Sequence, residues 1–309
     1  TATGSEPPPG QKARGDGWIP AEATEATETA SLHADPKKDP LCAKAETPVQ
    51  IGKEITIAFE KELREATKVT DAEESRIGAR LESAIARERS FAGKWDLPAD
   101  VSRYGKYLSD LVRHLAKGKS RRGIDYRIHI VRKPEFNAGA LPGGVLMVNT
   151  GALEGDQAVA SEAELVAVLG HEISHVEKRH TIAAYQYAKA IFGEDQDAQI
   201  AMKVLTTPIS SQYELEADDN GFLLGVKAQY NPSAGVDLWR RHAKTERPAP
   251  GGILGEVLDS LIRSHPRSAV RACRAMDRVS WAHDSAGWRR LYDGRTNLRT
   301  RIMGPLKTY

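Results

Sequence analysis

Apolar residues in the first half of the chain recur every three or four positions, which is the spacing of an amphipathic helix. This pattern begins after residue 48 and predicts three helices. Asp71 with Glu74 has the form of a capping box and predicts the start of the second helix. The residues that predict the three buried faces are Ile51, Ile55, Phe59 and Leu63, then Ile77, Leu81 and Ile85, then Val101, Tyr104, Leu108, Leu111 and Leu115.

The period of the pattern then changes from helix to strand. Tyr126, Ile128 and Ile130 alternate with polar residues, as in a half-buried strand. Residues 136–141 and 145–149 form two more short extended stretches, separated by a Pro-Gly-Gly turn. We therefore expect a small sheet of about three strands set among helices.

Helical spacing returns at Ser161, which forms a second capping-box pattern with Glu164. The apolar face of this helix is predicted from Leu165, Val168, Leu169, Ile173 and Val176. Later helices are predicted at about 182–206, at Ser211–Lys227, from Pro232 onward, and near 253–263 and 267–279. Together these elements predict an α+β fold that is mainly helical.

Changes in composition predict the domain boundaries. Residues 1–48 are rich in Pro, Ala, Thr, Glu and Lys without a hydrophobic period, which predicts a disordered or linker-like tail. Residues 49–280 form the predicted domain. Residues 281–309 have a mixed pattern and are expected to form a C-terminal tail that packs on the domain or extends from it.

The net charge and the lengths of the apolar stretches indicate whether the protein binds nucleic acid or spans a membrane. The 309 residues include 44 Lys and Arg against 42 Asp and Glu, a net charge of +2, which gives no electrostatic basis for binding nucleic acid. No stretch reaches the roughly 18 consecutive apolar residues of a membrane span. We expect no integral membrane segment, whereas peripheral membrane association and the oligomeric state stay open.

The two cysteines, Cys42 and Cys273, lack a CxxC-type partner, so a cysteine metal site is excluded. A disulfide between them suits an exported protein, and two free thiols are equally consistent with the sequence. The chain starts at Thr1 rather than Met and shows no apolar signal-peptide core. We expect an exported protein, periplasmic or in the cell envelope, whose signal has been removed; a cytoplasmic location stays open.

The candidate chemistry lies in the helix that starts at Ser161, in the sequence His171-Glu-Ile-Ser-His175. Residues i and i+4 project from one face of a helix, so both imidazoles can reach one ion at about 2 Å. Glu172 is rotated by about 100° and lies beside the position that a water would take. There its carboxylate can act as a general base in metal-assisted hydrolysis.

A catalytic zinc needs a third protein ligand, and an acidic segment supplies candidates. Glu214 and Asp218 lie on one face of a predicted helix, whereas Glu216 points the other way. Glu214 can be the third ligand, and Asp218 can accept a hydrogen bond from a ligating histidine. The alternative is a solvated acidic face. His180 lies about 180° from His171 on a continuous helix, and we expect it to be structural.

Several motifs in a fixed order resemble the zinc metallopeptidase family of the heat-shock protease HtpX, the CAAX prenyl endopeptidase and BepA. The motifs are Phe136-Asn-Ala-Gly-Ala-Leu-Pro-Gly-Gly144, Thr150-Gly-Ala-Leu153, the HExxH segment at 164–175, Glu214-Leu-Glu-Ala-Asp218, and Ser264-His-Pro266 with Arg271. The resemblance covers about residues 50–275. It implies a zincin-like metallopeptidase domain with the small sheet beside the HExxH helix, closest to the soluble periplasmic-type branch.

The resemblance also implies roles for individual residues. One zinc ion per chain would be bound by His171, His175 and Glu214, with Glu172 as the catalytic base and Asp218 bonded to a ligating histidine.

Other implied roles lie around this centre. Asn137, Ala138, Gly139 and Ala140 match an edge strand to which an extended substrate adds, the alternative being an ordinary hairpin. His265 matches a family histidine near the metal and is a candidate fourth ligand or oxyanion stabiliser; alternatively it begins a helix. Arg271 is expected to lie at the surface; the alternative is that it helps to polarise the substrate.

The function expected from these observations is that of a zinc metalloendopeptidase. Its substrates would be extended or misfolded polypeptides, in protein quality control. The alternative is a latent or non-proteolytic, zinc-containing, chaperone-like binding module whose metal site is closed by a fourth ligand.

Overall fold

The computed structural model describes residues 38–43, 66, 68–193, 195–206, 211–245, 268–286 and 292–298. The longer helices in these ranges are α1 (Asp71–Ile85), α2 (Lys106–Leu115), α3 (Glu162–Glu177), α4 (His180–Phe192), α5 (Asp197–Thr206), α6 (Ser211–Lys227), α7 (Ser233–Thr245) and α8 (Ser268–Ala286). Short helical turns cover Pro40–Ala43, Pro98–Asp100, Thr150–Leu153 and Arg295–Leu298. The strands are β1 (Arg127–Val131), β2 (Ala138–Leu141) and β3 (Val145–Asn149). The predicted α+β, mainly helical fold is confirmed, while the predicted helices at 51–63 and 253–263 lie outside the described residues.

The predicted small sheet of about three strands is confirmed, and the three strands form one mixed sheet in the order β1-β3-β2. β3 runs parallel to β1 and antiparallel to β2, which leaves β2 at an edge. Side chains of β3 alternate between the two faces, so Leu146 and Val148 join one hydrophobic core while Val145 and Met147 join the other. The first core also contains α2, α3, α7 and α8, and the second contains α1, α4 and α5. Both faces of the sheet are therefore covered.

The start of α1 differs from the prediction by one position. Thr70 caps this helix, because its hydroxyl accepts from Glu73 N while the Glu73 carboxylate accepts from Thr70 N. The predicted box of Asp71 and Glu74 is therefore wrong. Glu74 is buried instead, and it accepts a hydrogen bond from Gly143 N in the turn before β3.

Two further predictions about helices are wrong. The single helix predicted at 182–206 is two helices, because α4 ends at Phe192 and Gly193 takes a φ of 86° that few other residues adopt. Val101, expected on a buried face, is 42% exposed. It opens a π-helical turn, Val101–Gly105, whose wider winding shifts it away from the face that Tyr104 and Leu108 bury.

Both ends of the described chain are tied to the core. A disulfide joins Cys42 to Cys273 on α8. At the other end, Tyr292 and Leu298 are buried in the first hydrophobic core. Among the helices described here, none is long and apolar enough to cross a membrane.

A buried carboxylate fixes the start of α3. Glu162 accepts hydrogen bonds from the hydroxyls of Tyr107 (2.7 Å) and Tyr230 (2.6 Å) and from the side-chain amide of Asn297. The chain at Gly294 adds a backbone bond, because its carbonyl accepts from Glu162 N. Three separate parts of the chain therefore hold the helix that carries the HExxH sequence.

Candidate metal centre

The two histidines of the HExxH sequence lie one turn apart on α3 and are almost completely buried. Ser161 caps this helix by accepting from Glu164 N, while the Glu164 carboxylate accepts from Ala160 N. The fixed start and the helical spacing bring His171 Nε2 to 3.0 Å from His175 Nε2. Both ring nitrogens therefore face the same point in the protein interior.

Helix α6 crosses α3 at a contact between two glycines. A Cβ atom added to Gly221 would lie 2.7 Å from the backbone nitrogen of His171, and one added to Gly170 would lie 3.0 Å from Gly221 O. Only a pair of residues without side chains permits this approach. Asn220, one residue before Gly221, donates a hydrogen bond of 3.0 Å to the Ser174 hydroxyl and further fixes the crossing.

The close crossing brings the Glu214 carboxylate to both histidines. Its two oxygens lie 3.3 Å from His171 Nε2 and 3.3 Å from His175 Nε2. In a tetrahedral zinc site with bonds of 2.0–2.1 Å, neighbouring ligand atoms are about 3.3 Å apart. The two imidazole nitrogens, 3.0 Å apart, are close to this spacing, and each Glu214 oxygen lies at 3.3 Å from the Nε2 atom of one histidine. Within the part of the chain that is described, these three residues are the one group of three or more His, Cys, Asp and Glu that could hold a metal ion.

Asp218 supports the first of the two histidines. Its Oδ1 atom lies 2.7 Å from His171 Nδ1, as the sequence analysis anticipated. The Arg271 guanidinium donates two hydrogen bonds to this carboxylate, at 3.1 and 2.5 Å, and lies 3.7 Å from the centre of the Trp239 ring. Arg271 is only 5% exposed, so the expectation that it lies at the surface is wrong. Nothing in the local sequence around Arg271 shows that Asp218 comes close to it, because the two residues lie on different helices.

Neighbouring charges shift the pKa values of both His171 and Asp218. Burial and the Arg271 charge oppose protonation of His171, but Asp218 and Glu214 outweigh them and raise the pKa of His171 to about 9. Burial alone would raise the pKa of Asp218, yet the charges of Arg271 and His171 hold it well below its ordinary value. Asp218 is therefore a permanent anion behind His171.

His175 has a partner that the sequence analysis placed elsewhere. His180 Nδ1 lies 3.1 Å from His175 Nδ1, and His180 Nε2 lies 3.3 Å from a Glu216 oxygen. The prediction put His180 on the far side of a continuous helix, but α3 ends at Glu177 and Arg179 takes a left-handed φ of 63°. The available signal was the change from apolar to charged residues after Val176, which is typical of a helix end.

Of the other predicted site residues, those that the structure describes lie on or beside α3. Glu172 follows His171 on α3 and is buried. The edge strand β2 (Ala138–Leu141) packs beside α3, and among the described strands it pairs only with β3. Asn137 precedes this strand, and its carbonyl accepts from Asn149 N. His265 lies outside the described residues.

Comparison with known proteins gives consistent matches. Residues 103–279, more than half of the chain, match the family described as Peptidase family M48. Mitochondrial metalloendopeptidase OMA1 of Schizosaccharomyces pombe is 28% identical over 177 residues, which are 53% of this chain and 50% of that protein. The metalloproteases YcaL and LoiP of Escherichia coli are 25% and 24% identical over 195 residues, which are 58% of this chain and 71% and 72% of those proteins. The chain spans about half the length of the first of these relatives.

Proposed function

The chain belongs to peptidase family M48, and on this premise we propose that it is a zinc-dependent endopeptidase. The observation that carries the proposal is the convergence of His171, His175 and Glu214, whose ligand atoms all lie within 4.8 Å of one another. Two imidazoles and one carboxylate are a ligand set of catalytic zinc sites, which keep a fourth position for water or substrate. The family resemblance seen in the sequence motifs is confirmed, and with it the zincin-like domain.

Glu172 is the proposed general base. A bound zinc ion would polarise the scissile carbonyl and lower the pKa of a water molecule towards about 7. Glu172 then takes a proton from the attacking water and delivers it to the leaving amine. Its place on the helix supports this role, because the residue after His171 is rotated about 100° from the ligand face and stays beside it. Asp218 keeps a proton on His171 Nδ1, so that Nε2 is free to bind the metal.

The proposed substrate is an extended polypeptide. The backbone of β2 (Ala138–Leu141) forms the edge of the sheet beside the HExxH helix, and a peptide in strand conformation can pair with such an edge. Recognition through backbone hydrogen bonds depends little on side chains, which suits unfolded substrates of varied sequence. We propose a role in protein quality control, for which this substrate class is suited.

We further propose that the protein works in an oxidising, exported compartment. The support is the disulfide between Cys42 and Cys273, because disulfides persist mainly in such compartments. The related OMA1 proteins are named as mitochondrial.

The role of Glu172 is tested by a single substitution. Glu172→Gln should bind one zinc per chain, like the wild type, but lose casein cleavage by at least about a hundredfold, the lower range for removal of a general base. Glu154→Gln is the matched control, since Glu154 is 44% exposed and pairs with Arg103 away from the cluster. Cleavage by Glu172→Gln at the wild-type rate would refute the assignment, and a wild-type protein that binds no zinc would refute the proposal as a whole.

The alternative is a latent or chaperone-like zinc protein closed by His265. In that case wild-type protein would contain zinc without cleaving casein, and His265→Ala would start cleavage. If wild-type protein cleaves casein and His265→Ala does not increase the rate, the endopeptidase proposal stands.

A further inference from the structure

We propose that His180 and Glu216 are positioning residues for His175, and that they fix the tautomer in which His175 presents Nε2 to the metal. This inference rests on the proposed zinc site. It gives His175 a counterpart to the Asp218 and Arg271 pair that supports His171.

With a single proton on each imidazole, the hydrogen bonds among these groups allow one arrangement of protons. His175 Nδ1 lies 3.1 Å from His180 Nδ1, and of two ring nitrogens in contact one must carry the proton. An ionised carboxylate only accepts, so Glu216, at 3.3 Å, requires the proton of His180 on Nε2. His180 Nδ1 then accepts from His175 Nδ1–H. Consequently the lone pair of His175 is on Nε2, the atom that faces His171 and Glu214.

The backbone of this region is shaped to deliver His180. If α3 continued, residue 180 would project to the opposite side from His171. The left-handed residue Arg179 (φ 63°), a conformation unfavourable for a non-glycine residue, turns the chain so that α4 begins at His180 itself. The Arg179 guanidinium holds this bend by donating to the carbonyls of Ala66 (3.1 Å) and Val69 (2.7 Å).

The His180 ring is also held by packing. It is 1% exposed, and the ring of Tyr213 lies against it with centroids 4.7 Å apart and planes 32° apart. A buried histidine bonded at both nitrogens and stacked on one face cannot rotate without losing these contacts. The ring is therefore fixed before any metal binds.

The supports of the two ligating histidines differ in their access to solvent. Asp218 is a mostly buried anion bonded to a buried guanidinium. Glu216 is 41% exposed, and its other oxygen pairs with the exposed Lys178 at 3.1 Å. Since water screens exposed charges, the imidazole of His180 should matter more to His175 than the carboxylate of Glu216. The proposal therefore predicts a ranked effect of substitutions.

Two substitutions of His180 separate positioning from simple packing. His180→Asn places an amide oxygen near the position of Nδ1 and keeps an acceptor for His175, whereas His180→Leu fills a similar volume without one. Zinc affinity is measured by competition with a chromogenic chelator, and the ligand geometry by the visible spectrum of the cobalt-substituted protein. Thermal unfolding of the metal-free proteins gives the purely structural effect.

Loss of a group that orients a ligating histidine typically weakens metal binding by 10-fold to 100-fold. We expect His180→Leu to show a loss of this size and an altered cobalt spectrum, and His180→Asn to stay within about threefold of the wild type. Glu216→Gln should give a smaller loss than His180→Leu. Equal zinc affinity in His180→Leu and His180→Asn would overturn the proposal. So would a loss of zinc affinity in both variants that is proportional to the loss of thermal stability of their metal-free forms.

Failure of this inference is distinguishable from failure of the proposed function. If wild-type protein binds zinc and cleaves casein while His180→Leu keeps full zinc affinity, only the role of His180 is wrong. If wild-type protein binds no zinc, both are wrong. Should His180→Leu not fold, Glu216→Ala replaces it, because the Glu216 side chain is partly exposed; unchanged zinc affinity in Glu216→Ala would then overturn the proposal.

Discussion

The glycine contact between α3 and α6 offers a sharp test of how the cluster is built. In Gly221→Ala the new Cβ atom would lie 2.7 Å from His171 N and 2.8 Å from Gly170 C, both of them backbone atoms. Ordinary van der Waals contact begins at 3.4 Å, so the two helices would have to separate by about 0.7 Å. Glu214 lies on the same helix as Gly221 and would move with it.

The expected effect on metal binding follows from this shift. Metal–ligand distances tolerate about 0.2 Å, so a displacement of about 0.7 Å exceeds what the site can absorb. The substitution should change the stability of the metal-free fold less than it changes zinc binding. Overpacking costs about 1–3 kcal/mol, and the higher helix propensity of Ala returns up to about 1 kcal/mol. We therefore expect a loss of about 0–3 kcal/mol in the free energy of unfolding together with a large loss of zinc affinity.

The assay compares Gly221→Ala with a matched control on the same helix. A Cβ atom added to Gly225 would meet a single side-chain atom, Val166 Cγ1, at 3.2 Å. Gly225→Ala should therefore keep wild-type zinc affinity. Denaturant unfolding in the presence of a chelator gives the stability of each metal-free variant, and chelator competition gives the zinc dissociation constant. Wild-type zinc affinity in Gly221→Ala would refute the view that the close crossing positions Glu214.

Two more predictions concern protons and the disulfide. Because the pKa of His171 is raised to about 9, the metal-free protein at pH 7.5 carries a proton on this residue that zinc must displace. Zinc binding should therefore release about one proton per zinc ion. Calorimetry in buffers of different ionisation enthalpy measures this number. Because the pKa of His171 is raised in the folded state, the interaction of protonated His171 with Asp218 and Glu214 stabilises the metal-free fold fully below about pH 6.5. This contribution is lost as the pH rises through about 9. An unfolding free energy of the metal-free protein that increases between these pH values would contradict the prediction. The disulfide joins Cys42 to Cys273 across a sequence separation of 231 residues and so restricts the unfolded chain. Its reduction should lower the free energy of unfolding by up to about 5 kcal/mol. A variant with Ser at both positions should show no effect of the reductant.

Patterns confined to one element were predictable from the sequence. The strand near Ile128 was predicted from the alternation of apolar and polar residues, and those near Leu141 and Val148 from short extended stretches on either side of a Pro-Gly-Gly turn. The grouping of His171 with His175 needs only helical spacing.

The positions of Arg271 and His180 were predicted wrongly, because they depend on contacts between helices or on a single backbone angle. Arg271 was predicted at the surface because its partner Asp218 lies 53 residues away on another helix. His180 was excluded from the site because one left-handed residue, Arg179, carries no composition signal as strong as a glycine would. In each case the missing information is the relative position of two helices, which local patterns do not contain.

The hydrogen bonds at Glu162 have a consequence for the order of events during synthesis. The N-terminal segments of a chain leave the ribosome first, and α3 with its histidines emerges long before Asn297. Until then the Glu162 carboxylate lacks one of its three side-chain donors, and the backbone bond from Glu162 N to the Gly294 carbonyl is absent. The start of the helix that carries the proposed catalytic base is thus completed only after the segment that contains Gly294 and Asn297 has been made. A chain that ends before residue 294 would hold its histidines on a helix with a loosened start, which delays assembly of the candidate metal centre until that segment has emerged.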